Sequence, residues 1–329
     1  MKFMLKSALM WAIPMSVLIG LYVALDPMLT LRWHPDMMPD RFLPNKGNVT
    51  VKQFEHYNPE KHYDSFIIGA SISINHWLED WKVYLPEDAV PYHFDLSMMT
   101  LEGMADAVEY LAENSDARHM LIVMASDTPL WENSDRLAFY IPGEMARGWK
   151  GKMQSLYVPF MATYNWDILG EMAIHRFCGL NGKMIKGLYA DDIDYYDPVG
   201  NEERDMWLED SLAIQAAKFN PADGVASEIL VQSSAIGDAE KVFLRRIHSA
   251  ITGHDIDAII LVAPKLSNVA MCTEDSLFMA ELFGDRFIDL SREMNHLTAN
   301  PNLWYDGIHY RPPVARELMD AAYKRKARQ

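Results

Sequence analysis

The chain has 329 residues, half of them hydrophobic and 23% charged, with a formal net charge of −16. That length suits one large domain with additions, and the acidity excludes a nucleic-acid partner, whose polyanion needs clustered Lys and Arg. Two cysteines exclude a disulfide-dense scaffold; Cys178 and Cys272 could form one bridge in an oxidising compartment, but two lone cysteines do not establish it.

Residues 1–30 read as a signal anchor. Lys2 and Lys6 precede a charge-free run to Leu25. From Ser7 to Leu25 a helix would measure about 28 Å at roughly 1.5 Å per residue, close to the hydrocarbon core of a bilayer. No Ala-x-Ala cleavage site follows the run, and Pro14 and Gly20 are tolerated in membrane helices. The leading lysines predict a single pass in a bacterial cytoplasmic membrane, with the N-terminus cytoplasmic and the body periplasmic or extracellular. A cleaved signal peptide is the alternative. Residues 31–62, punctuated by Pro35, Pro39, Pro44, Gly47 and Pro59, read as a linker and docking segment. Within them Val49 to Val51 could be a brief edge strand, and Arg32, Arg41, Lys46 and Lys52 could face lipid headgroups or simply be solvated.

The body, residues 63–329, opens with the apolar run Phe66-Ile67-Ile68, the signature of a strand buried on both faces. It stops at Gly69, and Ile74, Trp77, Leu78 and Trp81 then fall on one helical face. Ser71 therefore stands where a buried strand gives way to a helix, at the carboxyl edge where open parallel sheets bind ligands. Further strands are predicted at Tyr92–Leu96 and His119–Met124. The helix Leu101–Ala112 between them is capped by Thr100. This βαβαβ order predicts a parallel sheet with right-handed crossovers.

Residues 128–236 interrupt that sheet. Trp131, Phe139, Tyr140, Trp149, Tyr157, Phe160, Tyr164 and Trp166 make the first half of this insertion aromatic, as a lid or a sugar- or acyl-binding wall would be, or as a helical insertion with its own small core. The acidic stretch Asp191–Asp197 lacks the ligand spacing of a calcium loop. A helix is expected over Asp205–Lys218. The sheet resumes after a helix capped by Asp238, with strands at Asp257–Val262 and Arg286–Leu290 around a short helix, Ser276–Phe283. A final helix begins at Pro312-Pro313. No histidine spacing suits a metal and no Gly-rich loop suits a phosphate, so neither metal nor cofactor is expected.

A serine needs a base held by a third group. Asp306 and His309 lie three residues apart just before the final helix, so one turn could face them together, the carboxylate fixing the imidazole while its other nitrogen meets Ser71. The Gly69-Ala70-Ser71 turn and Asp306-x-x-His309, at opposite ends of an α/β pattern, resemble the first and last blocks of the SGNH (GDSL-like) hydrolase superfamily. The resemblance covers roughly residues 60–325.

It implies a three-layer α/β/α domain with a five-stranded parallel flavodoxin-like sheet. It further implies a serine acyl-esterase or O-acyltransferase acting on an acyl-ester substrate, an acylated envelope glycan or lipid. Ser71 would be the nucleophile, His309 the base and Asp306 its orienter. The oxyanion would rest on the N–H of Ser71 and of Met99 or Thr100. Two blocks depart from the family pattern: no glycine stands in His93–Thr100, and Asp127 stands near the expected asparagine, where an ionised carboxylate can only accept. Two alternatives stay open. One is an accessory acyl-transfer protein partnered with a membrane-bound O-acyltransferase; the other is a non-catalytic glycan-binding or assembly protein.

Overall fold

The computed structural model describes residues 2–32, 46–96, 99–130, 141–179, 229–293, 295–305 and 307–328. Five parallel strands make the main sheet: β1 (Ser65–Gly69), β2 (Pro91–Asp95), β3 (His119–Ala125), β4 (Asp257–Ala263) and β5 (Phe287–Asp289). Their spatial order is β2-β1-β3-β4-β5. Each of these strands lies within about two residues of its expected position, because unbroken apolar runs bounded by turns leave little room for another reading.

The two-residue period of a strand sends alternate side chains to opposite faces. Phe66, Ile68, Ile122, Met124, Ile260 and Val262 join one core, against α4 (Leu101–Asn114), α7 (Asp238–Gly253) and α8 (Thr273–Phe283). Ile67, Leu121, Val123, Ile259 and Leu261 join a second core, against Trp81 of α3 (Leu78–Lys82) and Val314, Leu318 and Ala322 of α9 (Pro312–Lys326). Helices thus cover both faces of the sheet. Thr100 caps α4, its hydroxyl accepting from the Gly103 N–H at 3.1 Å, whereas α7 starts from Gly237, whose N–H donates to Glu240, with Asp238 already inside the first turn.

The linker reading of residues 31–62 is corrected over its second half. Lys46–Lys61 is a helix, α2, with Val49, Val51 and Phe54 buried. Phe54 sits among Tyr63, Phe66, Tyr92, Phe94 and Tyr110, with ring centroids 5.8 to 6.3 Å away. Thr50 donates to the Asp95 carbonyl and Tyr92 to the Thr50 carbonyl, both at 2.9 Å, so α2 docks on the edge strand β2. The β-branched Val49–Val51 suggested a strand, and this aromatic nest overrides that propensity. Lys52 faces Glu55 and Glu144, at 2.8 and 2.5 Å, rather than lipid headgroups.

At the N-terminus α1 covers Lys2–Leu25. The membrane span expected in residues 1–30 is not found: among the described residues no helix is long and apolar enough to cross a membrane, the described side chains of α1 beginning at Met10. In the insertion, α5 (Trp149–Thr163) and α6 (Trp166–Cys178) are described. The helix expected over Asp205–Lys218 and the acidic stretch Asp191–Asp197 lie outside the described residues. Cys178 is exposed and Cys272 buried, and both are free thiols, so the possible bridge is absent.

Candidate active site

Three neighbouring strands each deliver a polar side chain two residues beyond their last position. β1 ends at Gly69 and gives Ser71, β3 ends at Ala125 and gives Asp127, and β4 ends at Ala263 and gives Lys265. All three therefore stand at the carboxyl edge of the sheet.

Ser71 does not begin a long helix. It opens a single 3-10 turn, Ser71–Ser73, and regular helix resumes only at Leu78. The helix expected straight after Gly69 is thus shortened, because the side chains of the intervening residues are taken up by the turn and by the His309 loop. Ser73 folds back so that its hydroxyl donates to the Ala70 carbonyl at 2.8 Å. That spends its one proton, so the His93 Nε2, 3.1 Å away, must donate to the same oxygen. Ser73 is locked, and Ser71 is left as the serine of this turn that faces a base. Gly69 is needed for this fold-back: a Cβ there would stand 2.7 Å from the Ser73 Cβ and 2.9 Å from the Val123 carbonyl oxygen.

His309 lies with its Nε2 2.9 Å from the Ser71 Oγ. Both side chains are half-buried. When the hydroxyl donates, Nε2 is the bare nitrogen and Nδ1 carries the ring proton. Chain reversal sets this geometry. Tyr305 N donates to the His309 carbonyl and Arg311 N to the Leu303 carbonyl, both at 2.8 Å, and Trp304 pairs antiparallel with Tyr310. The described residues on either side of the reversal, Leu303–Tyr305 and His309–Arg311, are thus paired as two antiparallel arms. Asp306 itself lies outside the described residues.

Buried neighbours fasten the His309–Arg311 arm to the serine turn. Asn75 donates its amide to the Tyr310 carbonyl at 2.5 Å, and the His76 ring meets the Tyr310 ring edge-on at 5.7 Å. Burial pushes the His76 imidazole down to about 4. It is neutral near pH 7, with Nδ1 donating to the Ser73 carbonyl at 3.3 Å. Burial likewise raises the Tyr310 phenol. A second clamp joins the flanking helices: Trp81 Nε1 donates to the Tyr323 hydroxyl at 2.6 Å, and Arg316 to Asp80 at 2.8 Å.

The expected oxyanion residues fare unequally. The Met99 N–H donates to the Leu96 carbonyl at 3.3 Å, a long bond that an oxyanion would have to displace. Thr100 uses its hydroxyl as the α4 cap. Asp127 is not an isolated acceptor: Lys265 Nζ stands 2.6 Å from its Oδ2. Lys265 was missed by the sequence reasoning, and the one available signal was its offset beyond a buried strand, which Ser71 and Asp127 share. Asn75 and His76 were missed too; nothing local marks them, since their partner is more than two hundred residues away.

No protein-family model, curated protein or solved structure matches this chain.

Proposed function

We propose that the chain is an SGNH-type serine acyl-transfer protein held at a bacterial membrane by residues 1–30, with its body outside the cytoplasm. The observation that carries this reading is the 2.9 Å approach of His309 Nε2 to Ser71 Oγ at the carboxyl edge of a parallel sheet. The five-stranded parallel sheet in the order β2-β1-β3-β4-β5, which we read as flavodoxin-like, supports it.

Ser71 Oγ attacks the carbonyl of an acylated glycan or lipid while His309 Nε2 takes its proton. The tetrahedral intermediate collapses, the C–O bond to the leaving alcohol breaks, and His309 returns the proton to that alcohol. The acyl group now sits on Ser71. Water, or a sugar or polyol hydroxyl, then attacks the ester; His309 takes the attacker's proton and delivers it to Ser71 Oγ. Asp306 orients His309. The Ser71 N–H, a donor from Met99 or Thr100, and the Lys265 ammonium beside Asp127 answer the oxyanion charge.

One observation favours acyl transfer with a membrane-bound O-acyltransferase partner over fast hydrolysis. The Asp127–Lys265 pair stands near the place where the resembled family has a neutral donor. A charge pair committed to itself is a weaker oxyanion partner than a free amide.

The test treats the full-length chain in detergent with a fluorophosphonate probe, beside Ser71→Ala and His309→Ala. The expected result is labelling of the parent, lost in both variants. A folded parent that takes no label overturns the serine-nucleophile reading.

A further inference from the structure

Helix α5 is inside out. Along α5 the residues turned inward are Ser155, Pro159 and Thr163, one face at four-residue spacing. Those turned outward are Trp149, Met153, Leu156, Tyr157 and Met161, each at least half exposed, with Trp149 at 81%. A helix packed for water does the reverse and buries its large apolar side chains. The polarity of α5 is that of a helix whose outer solvent is hydrocarbon.

Of three further observations, the first is compatible with lipid and the other two point to lipid rather than to a second protein. First, the inward hydroxyls are satisfied within their own helix: Ser155 Oγ donates to the Lys152 carbonyl at 2.8 Å and Thr163 Oγ1 to the Pro159 carbonyl at 2.9 Å. Ser16 of α1 does the same with Ala12 at 2.7 Å. Hydroxyls bonded in this way need no water and so are compatible with a lipid setting, as they are with the solvent-facing Thr252 of α7, which does the same with the His248 carbonyl at 2.8 Å. Second, the face is continuous with α1, the apolar N-terminal helix. The Phe160 and Tyr22 rings meet at 5.7 Å, and the Tyr164 hydroxyl donates to the Leu18 carbonyl. From Met10 to Val17 every residue of α1 is exposed. Third, exposed Lys150 and Lys152 stand at the start of α5, and Trp166, at 86%, opens α6. Lysines and tryptophans flanking an apolar face suit the headgroup layer.

We infer that α5, with the start of α6, lies in the interfacial layer of a lipid bilayer beside the C-terminal part of α1. At 15 residues, α5 is about 22 Å long at ~1.5 Å per residue, shorter than a span of roughly 20 residues, so it lies along the membrane and does not cross it. Its inner side, through Gly148, Gly151 and Gln154, walls a cavity of about 330 Å³ whose opposite wall includes Thr100 and Asp106. An interfacial α5 therefore holds that cavity at headgroup level, within reach of acyl groups carried by lipid.

The test uses the full-length chain carrying Cys178→Ser, which removes the exposed native thiol. Single variants Met153→Cys, Tyr157→Cys and Met161→Cys are labelled with the environment-sensitive dye NBD and reconstituted into phosphatidylethanolamine–phosphatidylglycerol vesicles. Val17→Cys in α1 and Leu277→Cys on α8, on an exposed apolar side chain away from α5, serve as references. The expected result is blue-shifted NBD emission at the three α5 positions, lost when the acyl chains are brominated, with Leu277→Cys unchanged. Blue-shifted emission that bromine does not quench would overturn the inference in favour of a protein covering the face. Water-like emission at α5 with quenching at Val17→Cys would overturn it while leaving the anchor standing. Water-like emission at both would remove the anchor as well; none of these outcomes depends on the reactivity of Ser71.

Discussion

The side chain of Asn75 holds the backbone carbonyl of Tyr310 across 235 residues of chain, one peptide from the imidazole that faces Ser71. The bond is buried and lies between the two segments that carry the serine and the histidine. It therefore sets where His309 stands relative to Ser71. Replacing Asn75 by Ala leaves a buried carbonyl unpaired, at a cost of about 1–3 kcal/mol. A displacement of about 1 Å can cost about a hundredfold in rate. Asn75→Ala is expected to slow fluorophosphonate labelling at least tenfold, on that scale, while near-UV circular dichroism still reports a folded body. Unchanged labelling would show that the His309–Arg311 arm seats itself by other contacts.

His76 makes the same junction sensitive to acid. Its folded value of about 4 lies below the ordinary imidazole value of 6.5, so the unfolded chain binds more protons as pH falls. The sign is fixed by that difference: the stabilisation is fully present above 6.5 and is lost as pH falls from 6.5 towards 4. Its size is roughly 3 kcal/mol at about 1.36 kcal/mol per pH unit. Denaturant titrations across that window should show the parent losing stability more steeply than His76→Phe. Parallel pH profiles for the two proteins would rule out His76 as the source.

Gly69 tests the serine turn. A methyl group there meets Ser73 and the Val123 carbonyl below 3.0 Å, and the backbone oxygen cannot yield cheaply. Gly69→Ala should destabilise by about 1–3 kcal/mol, the usual range for overpacking. Adding Ser73→Gly should recover only part of that loss, since it removes one of the two obstacles. Chemical denaturation of the single and double variants measures both.

The Asp127–Lys265 pair bears on the chemistry. Asp127→Asn keeps an acceptor for Lys265 and adds two donors. It is expected to raise the labelling rate of Ser71. Lys265→Met strands a partly buried carboxylate and should lower both the rate and the stability. Labelling that responds to neither change would place the pair outside the reacting centre.

Phe54→Ala addresses α2. Five aromatic rings surround Phe54, so the cavity left behind should cost about 3–5 kcal/mol. A change below about 1 kcal/mol, the level of ordinary surface substitutions, would return residues 46–61 to the status of a linker.

The sequence by itself determined the sheet. Phe66–Ile68, Leu121–Met124 and Ile259–Val262 are short, apolar at every position and bounded by turns, as strands buried on both faces are. The turn at Gly69-Ala70-Ser71 was legible for the same reason: a buried strand must end, and its carboxyl end is where an open sheet exposes side chains. Thr100 as a cap was legible because capping is local. That Ser71 faces His309 was expected from the family resemblance, and the tertiary structure supplies the 2.9 Å contact; that Asn75 and His76 clamp Tyr310 and that Lys265 answers Asp127 only the tertiary structure decided, because each pair is formed by segments distant in sequence and leaves no periodicity. The same holds for α2, where β-branched residues pointed to a strand until a nest of rings from β1, β2, α4 and the loop before β1 gave a helix more to bury. In α5 the sequence displayed its aromatics but not their direction; which face of a helix turns outward is settled by what the rest of the chain leaves uncovered.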